Sequence, residues 1–106
     1  MIFIETVLFT KYIQQYFDDE VYHRFQNFLM ENPDVGDVIK GTGGLRKVRW
    51  RAKEKGKRGG VRIIYYWVVN KQKIYLLTVY AKNEVSDLTA SEKKLLKKIV
   101  EEWKNE

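Results

Sequence analysis

Two apolar runs joined by a short polar connection constrain the fold of this chain most strongly. Residues 61–69 and 73–82 are rich in β-branched and aromatic side chains, and only a few residues around Asn70 and Lys71 separate them. Runs of this kind predict two strands paired as a hairpin. Because each run is apolar at successive positions, both faces of each strand need cover. We therefore expect the hairpin to lie at the centre of a sheet and to form the core.

The segment before the hairpin predicts one strand and two helical elements. Residues 1–9 are rich in Ile, Val and Phe and predict an opening strand, followed by a short helical turn over residues 11–16. Asp18 or Asp19 can cap a longer helix, which ends where the chain reaches its single proline, Pro33. The apolar positions of this helix recur at helical spacing and are Val21, Phe25, Phe28 and Leu29.

Residues 45–51 alternate between cations and other side chains in the way a strand does. Successive side chains of a strand point to opposite faces. One predicted face carries Lys47, Arg49 and Arg51, and the other carries Arg46, Val48 and Trp50. The sequence thus predicts a row of cations along one sheet face, with Trp50 packed on the opposite face.

The last segment predicts an amphipathic helix. Thr89 and Glu92 have the spacing of a capping box. The apolar stripe that follows consists of Leu95, Leu96, Ile99, Val100 and Trp103. The lysines around the polar side of this helix indicate a solvated surface.

Positive charge is concentrated in residues 40–62, KGTGGLRKVRWRAKEKGKRGGVR. This segment contains ten Lys or Arg residues and one acid, Glu54, so it carries +9, whereas the whole chain of 106 residues carries +6 and its remainder −3. A local cationic patch attracts polyanions and releases counterions on contact with phosphates. Nucleic acid is therefore the leading class of partner. The alternative is a solvated loop whose charge only maintains solubility.

Composition excludes several other kinds of site. The chain has no cysteine and one histidine, His23, so disulfides, thiolate metal sites and a two-histidine mechanism are excluded. Neither glycine cluster is followed by the Gly-Lys-Ser/Thr order of a phosphate loop. No apolar run approaches the roughly 20 residues needed to span a bilayer. We expect one soluble, cytoplasmic domain over residues 1–106, without a cofactor or a membrane partner.

Three blocks of sequence resemble the RelE/ParE superfamily of bacterial toxins, and its HigB-like branch in particular. They are PDVGDVIKGTGGLRK at 33–47, GKRGGVRIIYY at 56–66 and YLLTVYAKNE at 75–84. The resemblance implies an α+β, RelE-like fold of order β-α-α-β-β-β-α, with a small, mostly antiparallel four-stranded sheet packed by helices.

The resemblance also implies an activity and partners. Toxins of this kind enter the ribosomal A site and cleave translated mRNA without a metal ion, through attack of the ribose 2′-OH on the adjacent phosphate. The implied partners are the mRNA, the ribosome and a cognate antitoxin of the HigA type, which could itself bind DNA.

The predicted catalytic residues are Arg62, Lys47, Arg49 and Lys82. Phosphoryl transfer spreads negative charge over the non-bridging oxygens, which preorganised Arg and Lys side chains stabilise. The resemblance places Lys47 and Arg49 on the family's lysine-rich second strand and Arg62 at the start of its third. Arg62 is expected to stabilise the transition state, while Lys47 or Arg49 positions the phosphate. A lysine serves as the base only where its pKa is depressed, and neighbouring cations act in that direction.

The wider predicted RNA-binding or ribosome-binding set consists of Arg46, Arg51, Lys53, Lys55, Lys57, Arg58 and Asn83. Asn83 stands where several relatives carry a second cation, and residues 85–89 contain no tyrosine where some relatives have a catalytic one. Two alternatives stay open, namely a ParE-like toxin that binds gyrase and a non-catalytic RNA-binding or ribosome-binding module. Most tyrosines of the central strands are expected in the core, and one near Lys82 could line the site.

Overall fold

Three α-helices and five strands occupy the residues that the computed structural model describes, which are 1–51, 60–81 and 88–105. In chain order they are β1 (Ile2–Glu5), α1 (Val7–Tyr16), α2 (Asp19–Glu31), β2 (Asp37–Val38), β3 (Arg46–Trp50), β4 (Val61–Val68), β5 (Lys73–Ala81) and α3 (Ala90–Lys104). The strands form one sheet in the order β1-β5-β4-β3-β2. The α+β class expected from the sequence is confirmed.

The predicted hairpin forms the centre of the sheet. Strands β4 and β5 pair in antiparallel fashion and are joined by a 3₁₀ turn over Val69–Lys71. Gln72 completes the turn with a left-handed backbone, φ 50°. Strand β3 pairs antiparallel with β4, and β1 pairs parallel with β5. The sheet is therefore mostly antiparallel, as the resemblance implied.

The predicted strand count is wrong by one. Asp37 and Val38 pair with Lys47 and Arg46 at the edge of β3, which adds β2 to the four expected strands. Both residues of β2 are exposed. A two-residue edge strand has no alternation that a sequence pattern can detect, because it forms by backbone pairing alone.

The predicted boundary between the opening strand and the first helix is also wrong. Strand β1 ends at Glu5 and α1 begins at Val7, because Thr6 caps the helix: its Oγ1 accepts the N–H of Phe9 at 3.0 Å. The same hydroxyl donates to the carbonyl of Leu77 on β5 at 2.7 Å. One threonine thus starts the helix and fixes it to the central hairpin. The second helix begins as expected, with Asp18 as its cap.

Both faces of the central strands are covered, as predicted. Helices α1 and α2 pack on one face over a buried cluster that includes Phe9, Phe25, Leu29, Ile63 and Tyr65. Trp50 joins this cluster, with ring centroids 5.3 Å from Phe25 and 5.2 Å from Phe28, so its predicted packing role is confirmed.

Helix α3 covers part of the opposite face. It packs over a second buried cluster formed by Ile39, Leu45, Ile64, Tyr66, Leu77 and Val100. The capping box of Thr89 and Glu92 is present, and Trp103 stacks on Tyr75 with ring centroids 4.1 Å apart. The predicted apolar stripe is too wide at one position, since Leu95 is 61% exposed.

Candidate functional site

The face of the sheet that α3 partly covers also carries the cationic row. Arg49 on β3 pairs directly with Arg62 on β4, and Lys47 pairs with Ile64 one row away. Directly paired residues of an antiparallel sheet share a face, with Cβ atoms about 5 Å apart. Lys47, Arg49 and Arg62 are therefore brought together on one face. For Lys47 and Arg49, the shared face was predicted from the alternation of β3.

The backbone that carries these cations is held by the core beneath it. Val48 lies between Lys47 and Arg49 and points into the buried cluster under α1 and α2, while Val61 and Ile63 flank Arg62 and are fully buried. Arg49 is exposed, and Lys47 and Arg62 are half-buried. The cations thus project from two packed strands, which limits the reorganisation needed when a ligand binds.

Gly60 sets the approach of β4 to β3 two residues before Arg62. Its φ is 73°, and a Cβ at this position would lie 2.4 Å from the carbonyl oxygen of Trp50. Any other residue would be strained and would push the two strands apart. The glycine therefore supports the pairing of Arg62 with Arg49.

A buried tyrosine and an arginine fasten the loop that leads into β2. The hydroxyl of Tyr65 accepts the N–H of Gly36 at 2.9 Å and donates to the carbonyl of Pro33 at 2.8 Å. Arg46 Nη1 donates to the carbonyls of Asp34 and Gly36, at 3.0 and 2.8 Å. These bonds fix the loop immediately before Asp37, the edge-strand partner of Lys47.

The Tyr65 hydroxyl keeps the proton that it donates to the Pro33 carbonyl. Burial raises the pKa of Tyr65 above its ordinary value, while the Gly36 N–H and the charge of Arg46 oppose the shift more weakly. A Cβ on Gly36 would lie 2.8 Å from the Tyr65 ring, so only glycine fits against it. Arg46 lies on the other face of β3 from Lys47 and Arg49, and its guanidinium group binds the carbonyls of this loop.

The remaining predicted site residues fall into two groups. Arg51 is exposed and follows β3 directly. Lys53, Lys55, Lys57, Arg58, Lys82 and Asn83 lie outside the described residues, so their predicted roles stay predictions.

Tyr80 also lies on this face, and it is the tyrosine near Lys82 that the sequence allowed as a residue lining the site. It pairs directly with Arg62 across β4 and β5, and it is half-buried at the edge of the cluster under α3. The three strands therefore present a continuous row of Arg49, Arg62 and Tyr80. Two guanidinium groups beside an aromatic ring can contact a phosphate and an adjacent nucleobase.

Metal-binding clusters and membrane-spanning helices are both absent from residues 1–51, 60–81 and 88–105. No group of three or more His, Cys, Asp or Glu residues there is arranged to hold a metal ion. In the same ranges, no helix is long and apolar enough to cross a membrane.

The class that fold and site define is a small α+β domain with a cationic, aromatic-edged sheet face. Solved structures with this fold include Escherichia coli RelE from the intact RelBE toxin–antitoxin complex, with 14% identity, a TM-score of 0.55, and coverage of 76% of this chain and 94% of that chain. A mutant of E. coli RelE in the free state aligns at 13% identity and a TM-score of 0.57 over 80% of this chain and 86% of that one. The isolated E. coli RelE toxin aligns at 13% identity and a TM-score of 0.55 over 92% and 97%. At these identities the likeness shows a shared fold.

Family membership comes from the sequence itself. Residues 32–106 match the family model described as the RelE toxin of the RelE/RelB toxin–antitoxin system. The match covers more than half of the chain and includes every strand from β2 to β5. The chain therefore belongs to the RelE toxin family, and the predicted RelE/ParE superfamily toxin is confirmed.

Proposed function

We propose that this protein, a RelE-family toxin, is a ribosome-dependent endoribonuclease of the HigB-like branch that cleaves translated mRNA. The observation that carries the proposal is the direct pairing of Arg49 with Arg62, with Lys47 on the same face. Cationic side chains that share a sheet face can bind the same phosphate, and one guanidinium group can hold two of its oxygens. The family makes an RNA phosphate the leading anion.

The reaction assigned to this face is transesterification within the RNA strand. The ribose 2′-oxygen attacks the adjacent phosphorus as its proton passes to a base, and the bond from phosphorus to the 5′-oxygen breaks. The 5′-oxygen takes up a proton, so the products are a 2′,3′-cyclic phosphate and a 5′-hydroxyl. Charge accumulates on the non-bridging oxygens, and no cofactor or redox step is required.

Each cation has a separate task in this scheme. Arg62, half-buried and flanked by core residues on its own strand, is assigned to the charge that develops on the phosphate. Arg49, which is exposed, and Lys47 are assigned to holding the phosphate in line. Tyr80, beside Arg62, is assigned to stacking on a base next to the scissile bond. Lys82 retains its predicted catalytic role as part of the proposal.

The proposed partners follow from family and charge. A cognate antitoxin, of the HigA type in this proposal, holds the toxin inactive, and the ribosome presents the mRNA in its A site. The net charge of +6 favours association with ribosomal RNA. The proposed location is the bacterial cytoplasm, where translating ribosomes are found.

Cleavage by the purified protein tests the reaction class. The protein is mixed with ribosomes programmed with a short end-labelled mRNA, and separately with the same mRNA alone. The toxin is first treated with EDTA to remove any metal ion and is then added to intact ribosomes. The proposal expects mRNA fragments that end in a 2′,3′-cyclic phosphate. A toxin that binds programmed ribosomes with a steep salt dependence but leaves the mRNA intact would instead be a binding module.

A further inference from the structure

Strand β5 contains a bulge at Leu77. Ile64 and Tyr65 are consecutive on β4, but they pair with Thr78 and Leu76 on β5. Leu77 is therefore the extra residue of β5, opposite no residue of β4. Leu77 and Thr78 follow each other in the chain and line the same hollow, whereas a regular strand turns successive side chains to opposite faces.

The bulge decides which side chain of β5 lies beside the cations. It shifts the pairing by one residue, so Tyr80 pairs with Arg62, and Val79 is buried in the cluster under α1 and α2. A strand without the bulge would place Val79 beside Arg62 and would turn Tyr80 to the other face of the sheet. The stacking role proposed for Tyr80 therefore requires the bulge.

Thr6 binds the backbone of the bulge at two successive carbonyl groups. Its N–H donates to the carbonyl of Leu76 at 3.1 Å, and its Oγ1 donates to the carbonyl of Leu77 at 2.7 Å. Successive carbonyl groups of a regular strand point to opposite sides, so a residue beside the strand reaches only one of them. The bulge thus turns the carbonyl of Leu77 towards Thr6.

The hydroxyl of Thr6 joins the bulge to the start of α1. Leu77 is buried, so its carbonyl group needs a donor within the protein. The Thr6 hydroxyl is such a donor, and the same oxygen accepts the N–H of Phe9 at 3.0 Å. Removing the hydroxyl would leave both groups without this partner, which makes the bulged geometry less favourable.

We infer that Thr6 is a positioning residue of the candidate RNA site, because it holds the bulge that places Tyr80 beside Arg62. Its hydrogen bonds go to β5 and α1, whereas the cationic row lies on β3 and β4. The inference rests on the proposed function for the stacking role of Tyr80, but the register of β5 can be measured without it. Loss of the Thr6 hydroxyl should weaken the binding of mRNA and leave the chemical step unchanged.

Substitutions at position 6 separate the two bonds of the hydroxyl. Thr6→Ser keeps both bonds. Thr6→Asp keeps an acceptor for the Phe9 N–H, since Asp is a strong helix cap, but an ionised carboxylate has no proton to donate to Leu77. Thr6→Val removes both bonds and replaces Thr6→Asp if the added charge prevents folding. Asp18→Ala is the matched control, because it removes the corresponding cap of α2, where Asp18 accepts the N–H of Val21 at 2.8 Å.

The first readout is the register of β5 in the free protein, measured by NMR. The wild type, Thr6→Ser and Asp18→Ala should show cross-strand backbone contacts between Arg62 and Tyr80 and slow amide exchange at residues 77–79. Thr6→Asp should weaken these contacts, and the same amides should exchange at least about tenfold faster. Unchanged contacts and unchanged exchange in Thr6→Asp would overturn the inference, whether or not the protein cleaves RNA.

The second readout is the pair of constants KM and kcat for mRNA on programmed ribosomes. Thr6→Asp should raise KM about threefold to tenfold at constant kcat, because the ring of Tyr80 is misplaced and not lost. The same substitution should add nothing in a Tyr80→Ala background. An equal rise in both backgrounds, or the same rise in Asp18→Ala, would overturn the inference. A wild type that leaves mRNA intact would refute the proposed nuclease, and the NMR result would still decide whether Thr6 holds Tyr80 beside Arg62.

Discussion

Arg49 and Arg62 are directly opposite each other on neighbouring antiparallel strands. Like charges at such a position destabilise a sheet by a fraction of a kcal/mol to about 1 kcal/mol. Both residues lie on the face that the proposal assigns to the RNA phosphate. Removing one of the two cations should therefore weaken RNA cleavage or binding while leaving the free energy of unfolding nearly unchanged.

Replacing Arg62 with Gln should abolish cleavage with little effect on folding. We expect the rate of mRNA cleavage on programmed ribosomes to fall at least about 100-fold, because the developing phosphate charge loses its main partner. The free energy of unfolding in urea should change by less than about 1 kcal/mol. Arg24→Gln is the control, since Arg24 is exposed on α2, and it should retain activity. A large loss of stability in the Arg62 variant would assign this residue to the fold.

Removal of Arg49 should change how binding depends on salt. Each phosphate contact contributes about 0.7 to the slope of log K against log salt for a single strand. We expect Arg49→Gln to reduce that slope by roughly one contact when binding of the toxin to programmed ribosomes is measured at several salt concentrations. An unchanged slope would mean that Arg49 does not meet a phosphate.

The aromatic ring of Tyr80 should affect RNA binding more than its hydroxyl. Tyr80→Phe keeps the ring beside Arg62 and should retain activity, whereas Tyr80→Ala should raise KM about tenfold or more through loss of base stacking. Tyr75→Phe serves as the control, because that ring stacks on Trp103 in the cluster under α3. Loss of kcat at constant KM in Tyr80→Phe would assign the hydroxyl to proton transfer.

Tyr65→Phe should destabilise the loop before β2. The substitution leaves the Gly36 N–H and the Pro33 carbonyl without the hydroxyl that satisfies both. We expect a loss of about 1–3 kcal/mol in the free energy of unfolding. Amide exchange of Asp37 and Val38 should become faster, and unchanged exchange would show that the two bonds do not hold the edge strand.

The same tyrosine predicts a dependence of stability on alkaline pH. Burial raises the pKa of Tyr65 in the folded state above the ordinary value of 10.0. The unfolded chain therefore loses this proton first, so the contribution of Tyr65 is complete below about pH 10 and is lost as the pH rises through the folded-state pKa. Urea unfolding at pH 8 to 11 should show the decline in the wild type and a smaller one in Tyr65→Phe. Equal declines would mean that Tyr65 is not the group responsible.

The fold could be predicted where a pattern extended over several turns or strand residues. The hairpin, the Asp18-capped helix and the Thr89-capped helix all gave such patterns, and the alternation in β3 correctly separated Lys47 and Arg49 from Trp50. The start of α1 was missed because the apolar run of β1 continues through Val7, Leu8 and Phe9 into the helix, which hid the local cap at Thr6. The second bond of Thr6, to Leu77, joins residues 71 apart in the chain and belongs to no local pattern.

The cross-strand partner of Arg62 could not be derived from the sequence. Counting back from the turn, Val68 pairs with Lys73 and Tyr65 pairs with Leu76, which would place Arg62 opposite Val79. A bulge between Ile64 and Tyr65 shifts the register by one residue and brings Tyr80 to that position. Because a shift of one residue exchanges the two faces of a strand, the aromatic edge of the site depends on an irregularity that sequence patterns do not show.

The most direct test of the proposed activity is to map mRNA 5′ ends in cells shortly after induction of the wild type, Arg62→Gln and Arg24→Gln. The account predicts new 5′ ends within translated reading frames for the wild type and Arg24→Gln, and none for Arg62→Gln. Growth arrest with intact mRNA, or equal cleavage by the Arg62 variant, would contradict it.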